Sequence, residues 1–127
     1  MPNKVTFEYA IIRVVPKVER EEFFNVGVIL FCKRKKFLDV RYHIDPKKLA
    51  VFSSEVDVDV LNDYLHSWKL ICEGAPSGGA IGKLELSDRF RWLAACRSTM
   101  IQSSETHSGL CDDPEKELQG LFEGFVL

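Results

Sequence analysis

The stretch from residue 97 to residue 114 concentrates groups that could take part in catalysis. It reads RSTMIQSSETHSGLCDDP and contains a guanidinium, several hydroxyls, an imidazole, a thiol and three carboxylates. His107 could act as a general acid or base if a nearby carboxylate, such as Asp112 or Glu22, fixed its tautomer. A serine hydroxyl or the Cys111 thiolate could then serve as the nucleophile. This density raises the hypothesis of a small hydrolase or nuclease.

Other features of the sequence weaken the catalytic hypothesis. The chain has no GxSxG segment, which would indicate a nucleophile elbow. Its three histidines, His43, His66 and His107, fall on a predicted strand, a predicted helix and a predicted loop, so their spacing does not indicate a metal site. The four cysteines form no CxxC pair, and we predict that they are reduced and mostly buried. We therefore predict neither a metal nor a cofactor, and the sequence leaves open whether the protein is an enzyme.

One dense basic cluster, KRKK at residues 33–36, could contact phosphate groups. It could equally be a solvated hairpin tip that discourages edge-to-edge aggregation. The acidic segment EREE at residues 19–22 and the lack of interleaved aromatic residues favour the hairpin tip. Because the whole chain carries a net charge of −2, we do not expect nucleic acid as a partner.

Length and composition indicate one globular domain that covers residues 1–127. The chain is 46% apolar and 28% charged, which is ordinary for such a domain. Its longest strongly apolar run, residues 26–32, is far shorter than the roughly 20 residues that a membrane-spanning helix needs. The first residues lack the apolar run and cleavage site of a secretory signal, so we expect a cytoplasmic protein without membrane contact.

Hydrophobic patterning divides the chain into a half rich in strands and a half rich in helices. Alternating and β-branched residues predict three strands, at 5–15, 25–32 and 37–44. Helical spacing of apolar residues then predicts helices near 61–72, 87–96 and 112–127, with a short strand at 98–103. The order β-β-β-α-α-β-α indicates an α+β fold. We expect an antiparallel sheet of three to four strands, with helices packed mainly on one face.

Gly27 stands inside the second predicted strand, in the segment NVGV. A glycine there indicates a bulge or a close approach of another backbone. The alternative that we favour is that Gly27 leaves room for a large side chain, such as that of Trp92.

Three segments of the chain together resemble a known family. They are YAIIRVVP with EREEFFNVGVILFC, then RFRWLAACRSTMIQSSETHSGLCDDP, and then the short closing helix, and they span the chain from Tyr9 to about Phe125. The chain resembles the bacterial family known as domain of unknown function 3037. The resemblance implies that the characteristic polar positions are Arg13, Glu22, Asn25, Gly27, Arg89, Arg97, Ser98, Gln102, His107, Gly109, Asp112 and Pro114. The family brings no established activity. The resemblance implies a gene that lies beside that of a HipA-like kinase, and hence an accessory partner of such a kinase.

These observations lead to three hypotheses for the function. The first is a non-catalytic binding or accessory module, because the polar motifs lie at strand ends and loops and lack a standard catalytic set. Its candidate pocket, for an anion or a peptide, consists of Arg13, Asn25, Arg97, Gln102 and His107. The second is the hydrolase or nuclease that uses His107 with a nearby carboxylate. The third is purely structural, with Arg97 and His107 bonding backbone carbonyls; the oligomeric state stays open in all three.

Overall fold

The computed structural model describes residues 4–15, 22–52, 57–74, 76–95 and 100–127. The strands are β1 (Val5–Val14), β2 (Phe24–Cys32), β3 (Phe37–Tyr42), β4 (Ile101–Ser103) and β5 (His107–Cys111). The helices are α1 (Pro46–Phe52), α2 (Val58–Glu73), α3 (Gly79–Gly82), α4 (Leu86–Ala94) and α5 (Pro114–Phe125), with a 3-10 turn at Pro76–Gly78. The predicted site residue Arg97 lies outside the described residues.

The strands form one antiparallel sheet in the order β3-β2-β1. At the far edge of β1, β4 and β5 follow one another end to end, and each pairs with a different part of β1. The short β4 pairs with the end of β1 at Val14, and β5 pairs with its beginning at Val5. The KRKK segment is the tight turn between β2 and β3, as predicted, and Cys32 pairs with Phe37 across it. The α+β class with an antiparallel sheet is therefore confirmed.

Helices cover both faces of this sheet, because β1 and β2 are apolar on both sides. On one side, Ile12 and Val14 join a core with α2 and α4. On the other side, Phe7 and Ile11 join a core with Leu118 of α5. We name these two sides the α4 face and the α5 face. The prediction placed the helices mainly on one face, and α5 is the helix that lies on the other.

The ends of the long helices follow the rules that the sequence indicated. Asp57 caps α2 by accepting a hydrogen bond from the backbone of Asp59, and Gly74 ends the helix with a left-handed φ of 68°. Asp113 caps α5 by accepting bonds from the next backbone amides, and Pro114 occupies its first turn. No helix among the described residues is long and apolar enough to cross a bilayer.

Besides the four-residue helix α3 and the 3-10 turn, two elements escaped the sequence analysis. The strand β5 was predicted as a loop, and only one of its five side chains, Cys111, is buried. A strand at the sheet edge pairs on one side and leaves most side chains in water, so its sequence shows no apolar alternation. The helix α1 is seven residues long, too short for a periodic pattern to be distinguished.

Gly27 lies in β2, opposite Ile12 of β1 on one side and Tyr42 of β3 on the other. A β-carbon at this position would lie 2.8 Å from the backbone oxygen of Arg41 and 3.0 Å from Cβ of Tyr42. The register of β1 and β2 shifts next to it, so that Ile12 pairs with Gly27 but Arg13 pairs with Asn25. The expectation of room for Trp92 was wrong, and the close backbone approach with a bulge is what the structure shows.

Three cysteines, Cys32, Cys72 and Cys111, are free and buried. Burial, followed by the negative charge of Asp39, raises the pKa of the Cys72 thiol to about 12. A thiol with so high a pKa stays protonated at neutral pH and is a poor nucleophile. These cysteines therefore belong to the core, as predicted, while Cys96 lies outside the described residues.

Candidate functional site

Three of the candidate pocket residues lie in one row across three neighbouring strands. Arg13 of β1 pairs directly with Asn25 of β2 on one side. On its other side it pairs with Gln102 of β4. The β-carbons of directly paired residues stand about 5 Å apart, so the stem of Arg13 starts between those of Asn25 and Gln102. We name these three residues the polar row.

All three side chains of the polar row point to the α5 face. Along β1, Arg13 lies between Ile12 and Val14, which both belong to the α4 face. Likewise Gln102 lies between Ile101, in the α4-face core, and Ser103, whose hydroxyl donates to the backbone oxygen of Leu93 in α4. The alternation of side chains in a strand therefore turns Arg13 and Gln102 the other way. The sheet thus brings together residues that are up to 89 positions apart in the sequence.

The Arg13 side chain is half-buried and lacks polar partners within the described part of the chain. Its Nε atom is buried without a hydrogen bond. Its guanidinium carbon lies 4.2 Å from the centre of the Phe23 ring, an attractive cation–π contact. The Phe23 ring itself is 46% exposed, so it forms an open wall beside the cation. A guanidinium in this position is desolvated without full compensation.

Asn25 connects the polar row to the end of α5. Its Nδ2 donates a hydrogen bond of 3.2 Å to the backbone oxygen of Phe125. This bond satisfies one of the carbonyls that every helix leaves free at its C-terminus. Next to Asn25, a cleft of about 270 Å³ extends past His43 and Lys48 to the last residues of the chain. Asn25 therefore has a structural role as well as a place in the row.

His107 lies on the same face but away from the polar row. It pairs with Tyr9, four residues before Arg13 on β1, which is a separation of about 13 Å along the strand. Its imidazole packs against the Tyr9 ring, with 5.4 Å between the ring centres. Among the described residues it forms no ion pair with a carboxylate and lies in no cluster that could hold a metal ion. The geometry gives the hydrolase or nuclease hypothesis no support.

Other charged residues are engaged in the fold. Asp39 lies in the edge strand β3 and forms ion pairs with Lys69 of α2 and with Arg41. Arg41 in turn forms an ion pair with Glu115 at the start of α5. This network joins helices on opposite faces around the edge of the sheet. Arg89 of α4 donates from one nitrogen to the backbone oxygens of Ile71 and Cys72, both 2.9 Å away, and so caps the end of α2.

The sequence analysis missed the aromatic residues of the α5 face. Tyr9 lies between His107 and Phe125, with 6.4 Å between its ring centre and that of Phe125. Phe23 could have been found from the sequence, because Phe24 starts a buried strand and its neighbour must then face the other way. The position of Phe125 depends on how α5 docks, which periodicity does not reveal.

The comparisons with known proteins identify the family alone. A search of curated proteins and a search of solved structures found no match. The family model described as a protein of unknown function, DUF3037, matches residues 9–126, a range that includes the whole polar row and His107. The chain therefore belongs to the DUF3037 family.

Proposed function

We propose that this protein is a non-catalytic binding module and that its polar row binds a carboxylate carried by a protein partner. The observation that supports the proposal is the half-buried Arg13, which pairs with Asn25 and Gln102 in the sheet and whose Nε has no hydrogen-bond partner among the described residues. A buried polar group that lacks a partner carries a free-energy penalty, and a bound ligand would relieve it.

The chemistry of the row suits a planar carboxylate. Arginine presents its N–H groups as a rigid fork that matches the two oxygens of a carboxylate. The amides of Asn25 and Gln102 can donate further bonds to the same ligand or accept from a neighbouring peptide N–H. The exposed Phe23 ring holds the guanidinium in place and offers apolar surface to the rest of the ligand. The acid can be a side chain of the partner or its terminal carboxylate.

A HipA-like kinase is the partner that the family resemblance suggests, and it is the first protein to test. Such a partner would make this chain an accessory subunit. A cytoplasmic location in a bacterium fits this role and belongs to the same proposal.

Binding of purified protein to the HipA-like kinase tests the proposal through the variant Arg13→Met. Methionine keeps much of the length of the arginine stem but removes the donors, so we expect at least a tenfold loss of affinity, typical for a charged hydrogen-bonded pair. The control Lys83→Met removes an exposed cation elsewhere and should leave the affinity unchanged.

Equal affinity for Arg13→Met and the unaltered protein would refute binding through the polar row. If the kinase does not bind at all, the same pair of variants serves with N-acetylglycine, a small mimic of a peptide C-terminus.

A further inference from the structure

The KRKK turn presents four cations that the fold does not use. Lys36 closes the turn with a backbone hydrogen bond of 3.2 Å to the oxygen of Lys33. All four side chains from Lys33 to Lys36 are exposed, and within the described residues none forms an ion pair. Four like charges in a tight turn repel one another, so they stabilise the fold no more than neutral polar residues would.

Lys36 adopts a backbone conformation that lysine rarely takes. Its φ is 51°, the left-handed region, and among the described residues no other non-glycine residue has a positive φ. Glycine or asparagine would occupy this place at lower cost. Strained positions of this kind are concentrated where a side chain has a task outside the fold. The lysine is thus kept at a position where glycine or asparagine would fit the turn better.

The turn forms one wall of an open trough on the α4 face. Two adjoining hollows of about 550 and 440 Å³ share Phe31, Lys33 and Ser87 in their walls. The first part of α4 forms the opposite wall, and the sheet around β1 and β5 forms the floor. This trough is larger than a single phosphate or acetate ion requires, and it can take an extended ligand.

The charges of the trough are mostly positive. The lining cations are Lys33, Arg34, Lys36, Arg89 and Arg91, and the lining anions are Glu8 and Glu85. Of these cations, Arg89 is already bonded to the end of α2. Arg91 already holds a carboxylate here, since its two terminal nitrogens lie 3.0 to 3.2 Å from the oxygens of Glu8. The trough can therefore bind a carboxylate, and the cations of the turn form no ion pair among the described residues.

We infer that this trough is a second binding surface, which takes an extended acidic segment of a protein partner. Charge complementarity favours that partner, since lysines act as point charges toward several carboxylates at once. Single-stranded nucleic acid fits less well because Phe7 and Phe31, the aromatic residues in the lining, are buried and cannot stack on bases. The trough lies on the face opposite the polar row, so this inference does not depend on the proposed function.

A fluorescent peptide of about twelve residues, alternating glutamate and serine, is long enough to span the trough when extended. We expect it to bind the unaltered protein, with an affinity that falls as salt is added. A glutamine–serine peptide should not bind. Replacing Lys33, Arg34 and Lys36 with alanine should weaken binding of the acidic peptide by about tenfold or more, given the modest contribution of each exposed charge.

The control replaces three exposed lysines outside the trough, Lys47, Lys83 and Lys116, and removes the same net charge. This triple variant should bind the acidic peptide within about twofold of the unaltered protein. Equal losses in the two triple variants would overturn the inference, because the attraction would then be unspecific. Failure of the acidic peptide to bind, or tighter binding of a single-stranded oligonucleotide of equal charge, would overturn it as well.

Discussion

A single β-carbon at Gly27 would collide with the backbone of the neighbouring strand. We expect Gly27→Ala to lower the free energy of unfolding by about 1–3 kcal/mol, because strands β2 and β3 would have to separate. The control is Gly120→Ala on the exposed side of α5, where no atom lies within 4 Å of the new carbon. There alanine should raise the free energy of unfolding by about 0.5–1 kcal/mol, since glycine weakens a helix interior. Denaturation in urea measures both changes, and a neutral Gly27→Ala would contradict the close approach of the strands.

Arg89 shows how a residue that could bind a ligand can instead stabilise two elements. It joins α4 to the end of α2 through two backbone oxygens. We expect Arg89→Met to lower the free energy of unfolding by about 1–3 kcal/mol, because the Cys72 oxygen loses this donor. The Ile71 oxygen keeps the backbone N–H of Gly74. The neighbouring Arg91→Met removes an exposed pair with Glu8 and should cost about 1 kcal/mol or less. Thermal denaturation of both variants provides the comparison, and equal losses would exclude a capping role for Arg89.

At the scale of elements, the sequence predicted the strands and helices whose apolar residues recur with a regular period, and it missed those without such a period. The strands from Val5 to Tyr42 and the helices α2, α4 and α5 carry clear apolar periods, and so the α+β class was accessible. The edge strand β5 has one buried side chain and thus no pattern to detect. Of the candidate site, the residue types at Arg13, Asn25 and Gln102 were accessible, but their juxtaposition depends on strand register. That register includes a bulge between β1 and β2, which the sequence hinted at through Gly27 but did not position.

At the scale of the whole molecule, the sheet separates two surfaces with different chemistry. The α5 face carries the polar row, with one half-buried arginine, two carboxamides and exposed aromatic rings. The α4 face carries the basic trough between the KRKK turn and the start of α4. A module with a specific site on one face and a charged surface on the other is suited to holding a partner by two separate contacts.

The most direct measurement of the central claim is the NMR resonance of the Arg13 Nε–H group during a titration with N-acetylglycine. We predict that this resonance and the side-chain amide of Gln102 shift together and saturate, because a carboxylate would supply the hydrogen-bond partner that Arg13 Nε lacks among the described residues. The Nε–H resonance of Arg41, which already donates to Gln119, should stay in place. An unmoved Arg13 resonance, or an equal shift at Arg41, would contradict the assignment of the polar row as a binding site.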